Sequence, residues 1–312
     1  MSTVEIRLDR ISKTFQQGEI VKGQAFVEGT EIHCLTLSLL GTVRTCPRSS
    51  LDDLSQPKVE QEVIRLRKKL RNSEVTDGIS VFRFEIVLAP DKSTSKRVEV
   101  LPETYHGEMV EVKYHIEATL SRGYFSAPLK AETEIIVVFK SALSSCPKND
   151  AAQNFQISHE NSTKRLSGEN QESIRVTRFK FNVRIKSTQC ALVKPLEGVI
   201  SLQESTEPVK SVEAKLTRVE SVLGGRGHER SEVMSLEVVH GDSAKEETVP
   251  FAIYFPKYLT CATLRGLTAK ITTQWGFRVE FEVNFVIHFE NESFTSKPVS
   301  LDLFRHKWKI IA

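Results

Sequence analysis

The sequence repeats itself at long range. Ile20-Val-Lys-Gly23-Gln-Ala-Phe-Val27, followed by Leu35-Thr-Leu37-Ser-Leu39, returns as Leu192-Val-Lys-Pro195-Leu-Glu-Gly198-Val-Ile200, followed by Val212-Glu-Ala214-Lys-Leu216. Matching Val21 to Val193 and Leu39 to Leu216 gives a spacing that drifts only from 172 to 177 residues. Solenoid repeats recur every ~20 to 50 residues, so a spacing this long predicts two related domains in tandem. A chain of 312 residues can supply each with its own core.

Period-two alternation dominates both copies. Val112, Tyr114, Ile116, Ala118 and Leu120 share one side, with Glu111, Lys113, His115, Glu117 and Thr119 between them. Phe179, Phe181, Val183 and Ile185 repeat the pattern, as do Phe281, Val283, Phe285, Ile287 and Phe289. Side chains two apart share one face of a strand, so each segment predicts a strand with one packed and one wet face. Many such segments between polar turns predict antiparallel sheets packed as sandwiches. The alternation lapses over residues 141–173, a polar stretch that cannot offset its own ordering entropy. The predicted organisation is therefore a first β-sandwich over 1–140, a connection over 141–173, a second β-sandwich over 174–305, and a basic tail over 306–312.

Residues 57–71 break the alternation. Val59, Val63, Leu66 and Leu70 are spaced by four, three and four, the stripe of a short helix inserted in the first lobe. Arg65, Arg67, Lys68 and Lys69 fall mainly on its other side, offering either a solvated face or a contact for a partner or an acidic membrane. Trp308, in the basic tail with Ile310 and Ile311, carries the same alternatives or tucks onto its own domain.

No constellation of catalytic residues emerges. The eight histidines never fall in HxH or HExxH spacing, and no nucleophile elbow or phosphate-binding loop is present. Gly224-Gly-Arg-Gly227 follows a strand without opening a helix, which predicts a hairpin loop. Five scattered cysteines without a CxxC pair predict reduced thiols rather than a disulfide framework or zinc site. Forty-three basic residues against forty acidic ones leave a mixed surface, which argues against nucleic acid. The first ten residues carry four charges and no apolar run, so no signal peptide is expected. These features predict a cytoplasmic binding protein that is not an enzyme and uses no cofactor or metal.

Several short motifs resemble one family in the right order. They are Leu101-Pro-Glu-Thr-Tyr-His-Gly107, Ser187-Thr-Gln-Cys190, Pro195-Leu-Glu-Gly198, Leu216-Thr-Arg-Val-Glu220 and Phe255-Pro-Lys-Tyr-Leu-Thr-Cys261. Together they are similar to the arrestin-like subunits of endosomal retrieval coats, the vacuolar protein sorting twenty-six family. The resemblance is greatest to the retriever type and more distant to the retromer type. It implies an arrestin-like all-β fold and a scaffold, peripheral on endosomes, that recycles membrane cargo. The implied partners are an α-solenoid subunit held by the carboxy-terminal lobe, and through it a small phosphoesterase-fold subunit. Sorting nexins or cargo tails are further partners it allows. The positions matching the solenoid contact are Val238, Val239, His240, Gly241 and Asp242. Consecutive valines in a strand place one of them away from the core, unless both sit partly buried in an ordinary hairpin. The 57–71 helix departs from the family, whose members carry strand and loop there. A receptor-binding arrestin-domain adaptor is the alternative, although the tail lacks proline-tyrosine and clathrin-binding motifs.

Overall fold

The described residues form two β-sandwiches in tandem, built mainly of antiparallel strands, and among them no sheet is shared between the lobes. The structure is a computed structural model describing residues 3–28, 34–46, 59–71, 74–90, 100–121, 127–139, 152–166, 177–223, 227–241, 247–256, 259 and 268–305. In the first lobe the strands are β1 (Val4–Leu8), β2 (Thr14–Phe15), β3 (Ile20–Glu28), β4 (Leu35–Thr45), β5 (Val59–Leu70), β6 (Glu74–Thr76), β7 (Ile79–Val87), β8 (Tyr105–His106), β9 (Val110–Leu120) and β10 (Leu129–Val137). The second lobe comprises β11 (Gln153–Ser158), β12 (Thr163–Leu166), β13 (Phe179–Ile185), β14 (Gln189–Ala191), β15 (Leu196–Ser205), β16 (Ser211–Val222), β17 (His228–His240), β18 (Thr248–Ile253), α1 (Thr268–Trp275), β19 (Phe277–His288), β20 (Glu292–Thr295) and β21 (Val299–Phe304).

The lobes repeat one plan. Order β1-β3-β7-β6 faces β2-β10-β9-β4-β5, with β8 beside β9; order β11-β13-β15-β18 faces β12-β20-β19-β16-β17, with β14 and β21 attached. In both, a short strand pairs in parallel with a late one: β2 with β10, and β14 with β21. A glycine fixes the register of the repeat more closely than the valines do. A side chain on Gly23 would overlap the Arg7 carbonyl on β1 and the Phe84 ring on β7. One on Gly198 would overlap the Arg184 carbonyl on β13 and the Phe251 ring on β18. These glycines occupy one structural position, 175 residues apart. Val193 lies in the turn before β15, so Val21 corresponds to Leu196 instead.

The alternating segments become β9, β13 and β19, and their apolar sides are buried. The second core is aromatic: Phe179 packs on Phe181, Phe289 and Phe294 with centroids 6.1, 5.5 and 4.8 Å apart, and Phe251 meets Phe285 at 5.5 Å. Such offset and edge contacts add to plain area burial.

Two sequence expectations are corrected. The helix expected over 57–71 is replaced by a strand, β5, which occupies Val59–Leu70, while residues 57 and 58 lie outside the described residues. Its pairing with β4 slips between Gly41 and Thr42, leaving Val63 and Ile64 both opposite the core. The bulge switches the inward parity from odd to even positions, so Val59 and Val63 share a side with Leu66 and Leu70. A three-residue step inside a period-two pattern thereby mimics helical spacing. The described helix is α1, in the second lobe, with Ile271 and Trp275 buried on one face. The 141–173 stretch likewise holds two strands, β11 paired with β13 and β12 with β20. Edge strand β11 buries Ile157 and half-buries Phe155 among exposed Gln153, Asn154 and Gln156, too little for alternation to register.

Gly198→Ala is expected to cost about 1–3 kcal/mol, since the new methyl must displace both a ring and a backbone carbonyl. Gly18 has positive φ but open space around it, so Gly18→Ala should act only through backbone strain. Urea unfolding of the two variants separates the effects.

Candidate functional site

The lobes meet through a buried carboxylate. Inward positions of β16 run Val212, Ala214, Leu216, Arg218, Glu220 and Val222, each opposite an inward residue of β19. The apolar series is thus interrupted by an arginine and a glutamate at the end facing the first lobe. Glu220 is completely buried. Its Oε1 accepts the Tyr105 hydroxyl at 2.8 Å and the Glu108 N–H at 3.2 Å, while Oε2 accepts the Met109 and Val110 N–H groups at 2.9 and 3.1 Å. Those four donors all belong to the first lobe, three of them backbone amides of the turn into β9. From its own strand, Arg218 adds an ion pair at 3.2 Å and lays its guanidinium 5.4 Å from the centre of the Tyr105 ring.

The turn is shaped for this. A side chain at Gly107 would run into the Glu220 carboxylate. Gly107 N–H donates to Val110 O at 2.9 Å, closing a loop whose next amides converge on the carboxylate as an anion-binding concavity.

Residues 101–106 are strapped down on the first-lobe side. Leu101, Glu103, Thr104 and Tyr105 are all buried. Thr104 exchanges bonds with Val137 through its N–H and its hydroxyl, at 2.9 and 2.8 Å. Tyr114 donates to Pro102 O at 2.8 Å. Burial first, and then the Glu103 charge, push the Tyr114 phenol well above its usual range, so it stays protonated as a donor. Glu103 receives the Phe139 N–H at 2.5 Å and pairs with Arg305 at the end of the second lobe, which also donates to Leu259 O at 2.5 Å. Two charged links therefore cross the lobe boundary.

Sequence reasoning picked out the motifs around Tyr105 and Glu220 but assigned them no role. The available signal was parity: charged residues at inward positions of a strand need partners, and Arg218 and Glu220 continue the register of Ala214 and Leu216.

The expected solenoid-contact residues lie at the end of β17. Pairing of β16 with β17 slips between Val212 and Glu213, so Val238 has no partner of its own. Val239, at 6% exposure, packs into the core opposite Val212, and Val238 is half-buried beside it. Neither valine therefore projects freely. His240 is exposed, with Nδ1 2.6 Å from a Glu237 carboxylate oxygen. Gly241 turns the chain with φ of +69° and donates to Lys210 O at 2.9 Å. Asp242 lies outside the described residues. Leu236, missed in the sequence, is an exposed apolar side chain on the same strand, with half-buried Met234 two positions before it.

The candidate basic residues Arg65, Arg67, Lys68 and Lys69 sit on β5. Arg65 pairs with Glu62 at 2.5 Å and Lys68 donates to Glu85 O at 3.2 Å, while Arg67 and Lys69 are exposed. Trp308 lies outside the described residues. Among the described residues, no three His, Cys, Asp or Glu side chains gather to hold a metal, and no helix is long and apolar enough to cross a membrane.

Glu220→Gln keeps the shape but turns an acceptor into a donor facing N–H groups. Removing one partner from a buried charged network costs about 3–5 kcal/mol. The measurement is thermal unfolding together with hydrogen exchange, and the amides of Glu108, Met109 and Val110 should lose protection first.

Comparison with known proteins matches the chain to a family model. That model, Vps26, described as vacuolar protein sorting-associated protein 26, covers residues 9–292 and so both sides of the Glu220 centre. The chain is also similar to vacuolar protein sorting-associated protein 26C of Dictyostelium discoideum. The two are 24% identical over 327 residues, spanning 97% of this chain and 99% of that protein.

Proposed function

The chain belongs to the Vps26 family, and from that premise we propose that it is a non-enzymatic scaffold subunit of a retriever-type endosomal coat. What carries the reading is end-to-end collinearity with a protein named as the 26C member, both lobes included. A scaffold needs fixed surfaces rather than a reactive pocket, and the Glu220 and Glu103 links hold two sandwiches as one platform. The expected partner is an α-solenoid subunit, with a small phosphoesterase-fold subunit recruited through it.

Docking falls to the end of β17. Val239 belongs to the core, so the contact surface comprises Leu236, Val238, His240 and Gly241, with Asp242 beyond the described residues. A part-exposed apolar ridge flanked by Glu237 and His240 has the composition of an interface anchor with a polar rim. Retrieval of cargo, endosomal placement and contact with sorting nexins or cargo tails follow from membership of such a coat.

The test is affinity capture with the full-length chain, identifying solenoid and phosphoesterase-fold subunits by mass spectrometry. Leu236→Asp with His240→Ala, both at exposed positions, should reduce solenoid recovery at least about tenfold while the melting temperature stays within a few degrees, and Val238 is left intact because it packs partly against the core. Val239→Asp, by contrast, should lower stability, because it buries a charge. Recovery of a retromer solenoid would move the chain to the retromer type, and receptors captured without any solenoid would favour a receptor adaptor. Undiminished solenoid binding by the double variant would remove β17 from the interface.

A further inference from the structure

Among the described residues, only two sheet edges are long. The terminal strands β1, β2, β6, β11, β12 and β18 run six residues or fewer, and β18 carries Pro250 besides. The exceptions are β17, with 13 residues, and β5, with 12. A free edge offers a row of unpaired N–H and C=O groups to any extended chain, so a long one is either blunted or used.

Among the described residues, β5 pairs with β4 alone and is the last strand of its sheet. Past the bulge, Arg65, Arg67 and Lys69 project from the outer face of the sheet, and Arg71 follows, exposed, just beyond the strand. Their cross-strand neighbours on β4 are Leu40, Ser38 and Thr36, so the adjacent strand supplies no carboxylate. Elsewhere in this lobe cations on strands do find one: Lys22 meets Glu85 at 2.6 Å, Arg44 meets Glu111 at 2.7 Å, and Lys130 meets Glu117 at 3.1 Å. Arg65 is satisfied by Glu62, whereas Arg67, Lys69 and Arg71 make no ion pair among the described residues.

We propose that the β5 edge is a docking site for an acidic, extended peptide segment of a protein partner, which adds to the sheet as a further strand. Main-chain hydrogen bonds to the free side of β5 supply affinity, and alternate acidic side chains opposite Arg67 and Lys69 supply selectivity. The spacing fits: same-face residues recur about every 6.8 Å on both strands, so acids at every second position meet the cations one to one. The same cations repel basic strands, and Lys68, directed toward β7, discourages indiscriminate apolar pairing. A membrane fits less well, because Thr36 and Ser38, rather than an apolar wedge, lie beside the cations. The site is separate from the β17 surface, so its failure would leave the scaffold reading standing.

The probe is a fluorescein-labelled ten-residue peptide of alternating Glu and Thr, titrated into the full chain at low salt and read by fluorescence anisotropy. Its Lys/Thr counterpart and a version with proline at alternate positions are the controls. Saturable binding is expected for the acidic peptide only, weakened on the order of tenfold by Arg67→Glu with Lys69→Glu. Hydrogen exchange should show new protection along β5. The neutral pair Arg67→Gln with Lys69→Gln, at exposed positions, guards against a folding defect and should fall between the two. Absence of saturable binding, an affinity indifferent to these variants, or equal binding of the proline peptide would each overturn the proposal. So would binding to phosphatidylserine vesicles that depends on Arg67 and Lys69 when the peptide does not bind.

Discussion

The arrangement of the two lobes depends on one buried charge. Taking the Glu220 carboxylate fully out of water costs several kcal/mol, and the fold meets that cost with four hydrogen bonds from one lobe and an ion pair from the other. Each donor has a fixed direction: three are amides of a tight turn, and the fourth is the hydroxyl of a wholly buried tyrosine. An apolar contact of equal area would also hold the lobes together, but it could slide. A carboxylate that loses even one of these donors is left short of a partner, so sliding is penalised steeply.

The duplication makes this feature sharper by contrast. On the offset that pairs Leu39 with Leu216, Val43 of β4 corresponds to Glu220 of β16, and Gly41 to Arg218. Val43 is buried against its own sandwich, and Gly41 makes room for the Tyr114 ring. The second copy carries charged residues at both of these inward positions, which makes the end of its core a socket for its neighbour. Meanwhile Gly23 and Gly198 have kept the same job, because a carbonyl and a ring approach both too closely for any side chain.

Much of this was legible because period-two alternation reports burial directly. β9, β13 and β19 each have one packed and one wet face, and their alternation survives in the sequence. What was not legible came from places where the period changes. One bulge at Val63 and Ile64 turned a strand into an apparent helix, and another at Val238 let two consecutive valines both approach the core. β11 and β12 were hidden for the opposite reason: as short edges they bury too little to imprint a pattern. The Glu220 centre was only half legible, since inward charges are visible along β16, but their partners lie over a hundred residues away.

How a chain treats its sheet edges says where it expects company. Apart from β5 and β17, the terminal strands among the described residues are short, which is the cheapest way to leave no template for pairing. The two long ones are managed differently. β17 carries two bulges and an apolar ridge of Met234, Leu236 and Val238, features that suit side-chain docking better than continuous strand pairing. β5 keeps a regular stretch past its single bulge and lines it with cations that lack partners on the neighbouring strand. The two strands are alike in length, 13 and 12 residues, so as mere by-products of sheet formation they would be expected to share regularity and charge as well. Their divergence, on strands occupying equivalent places in a duplicated plan, argues that each edge was shaped against a different kind of surface.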